Sequence, residues 1–79
     1  MVARRLPSIY LEGLAATGHV VDARLEGCGV PGRARVVCRL VDGEVAESQC
    51  MDERGARRLL MVIREYIGLS RLIVRGCGA

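Results

Sequence analysis

The sequence predicts a two-layer α+β domain, a three-stranded antiparallel sheet with helices on one face, in the order α-β-β-β-α. Two observations support this fold class. Apolar and polar residues alternate over three consecutive segments, which is typical of strands with one buried face. The last third of the chain instead repeats its apolar residues every three or four positions, as an amphipathic helix does. The 79 residues contain no linker, so we expect one domain over 1–79, with a core at about 7–75 and frayed termini.

The first helix is expected at residues 7–17, because Pro7 favours a helix start and Gly18 a helix stop. The basic residues 1–6 before it form either a loose start or a short strand. The first strand of the sheet is predicted at residues 19–26. One alternating set of this strand is expected to face the core: His19, Val21, Ala23 and Leu25.

Two further strands, 33–41 and 44–50, flank a hairpin turn at Asp42-Gly43. The loop before them, residues 27–32, is rich in glycine. A two-residue turn would direct the Glu and Gln side chains of the last strand into the core, whereas a one-residue shift avoids this and sets Arg39 opposite Glu47. A slip of one residue reverses every side chain, so burial favours the shifted register, with a bulge or a longer loop. In that register the inward residues of the last strand are Ala46, Ser48 and Cys50.

The strongest predicted helix covers residues 52–67, with Asp52 as its N-cap and Gly68 as its stop. After it, residues 72–76 (LIVRG) fit either a fourth strand or an apolar tail. One side of the helix is expected to pack on the sheet: Ala56, Leu59, Leu60, Ile63, Tyr66 and Ile67.

The sequence contains no recognisable catalytic motif and only one histidine, so we expect no enzymatic activity and no cofactor. The four cysteines have no C-x-x-C spacing, which disfavours a metal site. Buried thiols are the favoured interpretation, with Cys38 and Cys50 facing the core, and a disulfide is the alternative. No signal peptide or long apolar run is present. We therefore expect a cytoplasmic protein without a membrane partner.

Arginine dominates the charge of the chain. Lysine is absent, twelve arginines give a net charge of +3, and three of them, Arg54, Arg57 and Arg58, crowd a helix start, where cations are disfavoured. Codon bias in a GC-rich genome is the favoured explanation for Arg in place of Lys, and selection of Arg for phosphate binding is the alternative. The scarcity of Asn and Gln would suit a thermophile. Glu53 can pair with Arg57 at i,i+4, which leaves the other two arginines unexplained. They form either a solvated helix face or an anion site built from guanidinium and backbone N–H groups.

A helix, three strands and a helix with a basic start resemble the double-stranded RNA-binding domain family. That family begins its second helix with Lys-Lys-x-Ala-Lys, and residues 53–57 (ERGAR) match the basic-x-Ala-basic part with Arg for Lys. The resemblance covers about residues 7–67. It implies that Arg54, Arg57 and Arg58 bind RNA phosphates. It also implies that Glu12 of the first helix and the loop 29–33, which ends at Arg33, face the minor groove.

Residues 33–60 are also similar to the closing hairpin and helix of the small dimerising subunit of the KEOPS tRNA-modification complex. That family has an Asp followed five residues later by an Arg, which Asp52 and Arg57 match. The resemblance implies a structural subunit that forms a homodimer or docks on a larger protein complex. Met61, Val62 and the apolar segment 72–74 would then be covered by the partner. An all-aliphatic core of 79 residues separately predicts marginal stability, and hence a dimer or a bound state with the edge at residues 72–75 as the interface.

Overall fold

The computed structural model describes the backbone of residues 4–78 and the side chains of residues 4–69. Residues 1–3 and 79, where fraying is expected, lie outside this range. The predicted α+β class is confirmed. The elements, in chain order, are β1 (Arg4–Arg5), α1 (Ser8–Ala16), β2 (Val20–Gly27), β3 (Arg33–Leu40), β4 (Val45–Glu47), β5 (Met51–Asp52) and α2 (Glu53–Gly78).

The sheet is larger than the three antiparallel strands expected. Its order is β1-β4-β3-β2, and β5 pairs with the start of β3 beyond the end of β4. The strands β2, β4 and β5 are antiparallel to β3, whereas β1 runs parallel to β4. The basic start of the chain therefore contributes a short edge strand, and the sheet is mixed.

Both helices pack on one face of the sheet and share a single aliphatic core. Residues 56, 59, 63 and 67 of α2 are buried as the helical period predicts, with Leu60 partly buried, whereas Tyr66 is 36% exposed. The buried core residues on the other elements are Leu11, Ala15, Val20, Ala23, Ala34, Val36, Cys38 and Ala46.

The two helices advance in the same direction along the sheet. The helix α2 begins beside the first residues of β3, because β5 pairs there, and its Arg64 reaches the carbonyl oxygen of Ala23 on β2 at 3.4 Å. The helix α1 ends near the far end of β3, where the Val41 N–H donates to the His19 carbonyl at 3.0 Å. The start of α2 and the loop 28–32 consequently lie at one end of the molecule.

The hairpin between β3 and β4 has a three-residue loop, not the two-residue Asp-Gly turn. The Leu40 N–H donates to the Glu44 carbonyl at 2.8 Å, and Gly43 adopts a left-handed φ of 89°. The predicted inward face of β4 is confirmed, since Ala46 and Ser48 are fully buried. The predicted pairing of Arg39 with Glu47 is wrong: the register sets Arg39 opposite Val45 and Glu47 opposite Val37.

One extra residue splits the strand predicted at 44–50 into β4 and β5. Three residues lie between Glu47 and Met51, whereas only two lie between their partners on β3, Val37 and Ala34. This bulge interrupts the alternation of side chains. Cys50, expected to face the core, is exposed for this reason.

A second irregularity changes the inward face of β2. The register against β3 shifts between Val20 and Asp22, so Val21 is an extra residue. Val20 is buried before the shift and Ala23 after it, whereas His19 is exposed. The prediction that His19 faces the core is therefore wrong, and that for Ala23 is confirmed.

The helix α2 continues well past its predicted stop. Gly68 lies within the helix, and backbone helix extends to Gly78, so the alternative of a fourth strand at 72–76 is wrong. Gly68 is not among the glycines with positive φ, the conformation that ends many helices. The side chains of residues 72–74 lie outside the described range.

Ser48 maintains the hydrogen bonding of β3 where the bulge separates β4 from β5. Its N–H donates to the Val36 carbonyl at 2.9 Å, and its hydroxyl oxygen accepts the Val36 N–H at 3.0 Å. The hydroxyl also donates to the Gln49 carbonyl at 3.0 Å. Because Ser48 is fully buried, water cannot take over these roles.

Replacing Ser48 with Ala should lower the free energy of unfolding by about 1–3 kcal/mol, because the buried N–H of Val36 loses its acceptor. Urea unfolding followed by circular dichroism measures this. Ser8→Ala is the control: no hydrogen bond joins the Ser8 side chain to other residues in 4–69, so its effect should stay within about 0.5 kcal/mol. Equal unfolding midpoints for the two variants would show that the Ser48 hydroxyl is dispensable.

Candidate nucleic-acid interface

The loop 28–32 and the start of α2 are held together by backbone pairing. Arg33 pairs with Asp52 in the β3–β5 ladder. The Glu53 N–H donates to the Gly32 carbonyl at 2.9 Å. This contact places Arg33, at the end of the loop, beside the first turn of α2, as the RNA-binding hypothesis requires.

A disulfide between Cys28 and Cys50 joins the other side of the loop to the residue before β5. The Cα atoms of the two cysteines are 6.3 Å apart. The favoured prediction that Cys50 is a buried thiol is therefore wrong, and the open alternative of a disulfide is correct. For Cys38 the prediction is confirmed, since it is a free and fully buried cysteine.

The three arginines in the first two turns of α2, Arg54, Arg57 and Arg58, differ in their partners. Arg57 pairs with Glu53 at 3.7 Å, in the i,i+4 arrangement that the sequence predicts, although both side chains are largely exposed and the pair is weak. Arg54 and Arg58 are exposed and form no ion pair with any side chain in residues 4–69. Arg33, which pairs with Asp52 in the β3–β5 ladder, is also exposed and forms no ion pair with any side chain in residues 4–69. Three uncompensated cations thus lie at one end of the molecule.

The backbone at the start of α2 is less available to a ligand than the sequence suggests. The Glu53 N–H is used by Gly32, and the Arg54 N–H donates to the Asp52 carboxylate at 3.2 Å. Asp52 is therefore the N-cap, as predicted. Anion binding at this end would depend on the guanidinium groups, because these two N–H groups already have acceptors.

Glu12, the remaining candidate residue, lies on the other helix. It is half-buried in the second turn of α1 and, within residues 4–69, forms neither a hydrogen bond nor an ion pair. The backbone pairing of Arg33 with Asp52 therefore brings Arg33 to the start of α2, whereas no contact joins Glu12 to the arginines there within residues 4–69.

The open face of the sheet carries a ladder of alternating charge, whose charged residues alternation predicts but whose ion pairs it does not. Arg5 and Arg35 flank Glu47 at 3.9 Å and 3.6 Å, and Arg35 and Arg24 flank Glu26 at 2.9 Å and 3.5 Å. The hydrogen bond from Arg35 lowers the pKa of Glu26 below its ordinary value of 4.5. The ladder therefore contributes stability above that pH and loses it as the pH falls through the lowered pKa.

Among the residues whose side chains are described, no group of three or more His, Cys, Asp or Glu residues could hold a metal ion. His19 instead lies 2.7 Å from the Thr17 hydroxyl through its Nδ1. In the described part of the chain, no helix is both long and apolar enough to cross a membrane. No family model, no curated protein and no solved structure matches the chain.

Removing the disulfide should destabilise the fold. A cross-link over a sequence separation of 22 residues lowers the conformational entropy of the unfolded chain, which stabilises the folded state by about 3 kcal/mol. Urea unfolding should show this loss for Cys28→Ser, for Cys50→Ser and for the double variant alike, because each change breaks the same bond. Additive losses from the two single variants would contradict the pairing.

Burial raises the pKa of the Cys38 thiol from 9.0 to about 11, and the Asp22 carboxylate adds to this shift. The folded state therefore favours the neutral thiol, so this group leaves stability unchanged below about pH 9 and reduces it as the pH rises through about 11. Unfolding measured from pH 7 to 11 should show a steeper alkaline loss for the wild type than for Cys38→Val, which lacks the thiol. Parallel pH profiles would show that Cys38 is not shielded from water.

Proposed function

We propose that this protein is a small non-catalytic RNA-binding domain that contacts duplex or structured RNA through the phosphate backbone. Arg54, Arg57 and Arg58 of α2 would bind phosphates, and the loop that ends at Arg33 would approach the minor groove, with Glu12 as an additional contact. We propose that it acts in the cytoplasm.

The observation that supports this proposal is the uneven neutralisation of arginine. On the open sheet face, Arg5, Arg24 and Arg35 are ion-paired, whereas Arg39 is not ion-paired with any described side chain. At the end where the loop meets α2, by contrast, three of the four exposed arginines lack an acidic partner within residues 4–69. Guanidinium groups without an acidic partner, at a strand end and at the helix start that pairs beside it, suit the recognition of phosphates.

Replacing Arg54, Arg57 and Arg58 together with Gln should leave the fold intact, because all three are exposed and Gln is a good helix former. Stability should change by less than about 1 kcal/mol. Affinity for an RNA duplex should fall steeply, and the slope of log K against log salt should shrink by about 0.7–0.9 for each phosphate that the variant no longer binds. The fall should be similar for duplexes of different sequence, since phosphate contacts carry no sequence information.

Arg33 and Arg39 provide a matched control. They lie near opposite ends of β3, and both are exposed. Neither forms an ion pair with a described side chain. Arg33→Gln should lower RNA affinity and the salt slope, whereas Arg39→Gln should change neither beyond the effect of net charge. Equal losses would indicate attraction by overall charge, and an unchanged triple variant would rule out the α2 arginines as the RNA contact.

A structural subunit that binds protein is the second candidate, because apolar side chains are exposed on the helices. Ile9 is 76% and Tyr10 58% exposed, and with Gly13 and Leu14 they line an apolar groove of about 320 Å³. On α2, Met61 is 64% exposed as that hypothesis requires, whereas Val62 is half-buried. Light scattering of purified protein that shows a stable homodimer without RNA affinity would favour this candidate.

A further inference from the structure

We propose that the Cys28–Cys50 disulfide sets the RNA affinity of the interface by fixing the loop 28–32, so that reduction of this bond weakens binding. This inference rests on the proposed function. Its structural basis is the position of the bond, which joins the start of the loop to the segment that leads into α2. In a cytoplasmic protein such a bond is unusual outside hyperthermophiles, where intracellular disulfides are common.

The bond is the main constraint on the first half of the loop. The second half is held by the Glu53 N–H on the Gly32 carbonyl and by a turn in which the Arg33 N–H donates to the Val30 carbonyl at 3.2 Å. For Cys28 and Gly29, by contrast, no backbone hydrogen bond outside the strands is formed within the described range. Breaking the disulfide would therefore release Cys28 and Gly29 and leave the turn at residues 30–33, and with it Arg33, in place.

The composition of the loop makes this release consequential. Gly29 and Gly32 have left-handed φ values of 82° and 78°, and no atom lies within 4 Å of a Cβ built on either. Val30, at the tip, is 59% exposed. Such a loop has no packing of its own, and glycine has the greatest conformational freedom to lose. Without the bond, RNA would have to order the loop on binding, which lowers affinity.

The chemistry is ordinary thiol–disulfide exchange with a dithiol reductant. Cys50 is exposed and Cys28 half-buried, so a thiolate of the reductant attacks the Cys50 sulfur and Cys28 leaves as a thiolate that takes up a proton. The second thiol of the reductant then displaces Cys50 from the mixed disulfide. The protein gains two electrons and two protons, and the dithiol becomes a disulfide.

The other end of the bond remains anchored after reduction. Cys50 lies between the buried Ser48 and Met51, which pairs with Ala34. The start of α2 and its arginines therefore keep their positions. Reduction should weaken binding through the loop alone, so the number of phosphate contacts, and with it the slope of log K against log salt, should not change.

The test compares oxidised and dithiothreitol-reduced protein, in a Cys77→Ser background, for binding to an RNA duplex of about 20 base pairs over a range of salt concentrations. Reduction should weaken binding roughly three- to tenfold, as expected for ordering one or two loop side chains, at an unchanged salt slope. Linking the reduced cysteines with dibromobimane, which dithiothreitol does not cleave, should restore the tight binding. Separate alkylation of the two thiols should not.

Equal affinities of the two redox forms, or a salt slope that falls with affinity, would overturn the proposal. Circular dichroism checks that the reduced protein is folded. If the reduced protein is unfolded, the dibromobimane-linked protein is compared with the oxidised protein instead. Unequal RNA affinities of these two forms would overturn the proposal. Absence of salt-dependent binding by the oxidised wild type would instead refute the proposed function itself, and this inference with it.

Discussion

The burial of one face of β3 is the constraint on which the rest of the structure depends. Its inward residues Ala34, Val36 and Cys38 are at most 2% exposed, and β2, β4 and β5 all register against this strand. Ala23 and Ala46 flank Cys38 in one row across the sheet. This row of small side chains leaves room for the large aliphatic residues of the helices, which form the core without any Phe or Trp.

The same constraint accounts for the arrangement of the candidate interface. One extra residue between β4 and β5 sets Met51, and not Cys50, opposite the buried Ala34 of β3. Because of that residue, Cys50 faces outward, where it forms the disulfide with Cys28. The buried Ser48 hydroxyl accepts the Val36 N–H of β3 at the bulge. The loop, the disulfide and the start of α2 are thus positioned by the register of the core.

The sequence was sufficient to predict elements whose hydrophobic period is regular, and insufficient wherever one residue breaks the period. The inward face of β3 and the buried stripe of α2 follow from alternation and from the 3.6-residue repeat. The bulges at Val21 and before Cys50 could not be predicted, because a bulge is decided by the cross-strand partner and leaves no local composition signal. Gly68 was a misleading stop signal, since a glycine in α conformation is tolerated inside a helix at a cost of about 1 kcal/mol.

The charges at the candidate interface also differ in whether local spacing or a cross-strand partner decides their pairing. Pairs within a helix depend on spacing alone, so Glu53 with Arg57 could be predicted, whereas the neutralisation of Arg35 depends on acids brought from two other strands by the register. Arg58 has no such cross-strand neighbour, because its helix face points away from the sheet, and its i,i+4 partner is another cation, Arg54. On the sheet, Glu26 and Glu47 are ion-paired with Arg5, Arg24 and Arg35, whereas at the end where the loop meets α2 the only ion pair among the described side chains is that of Glu53 with Arg57.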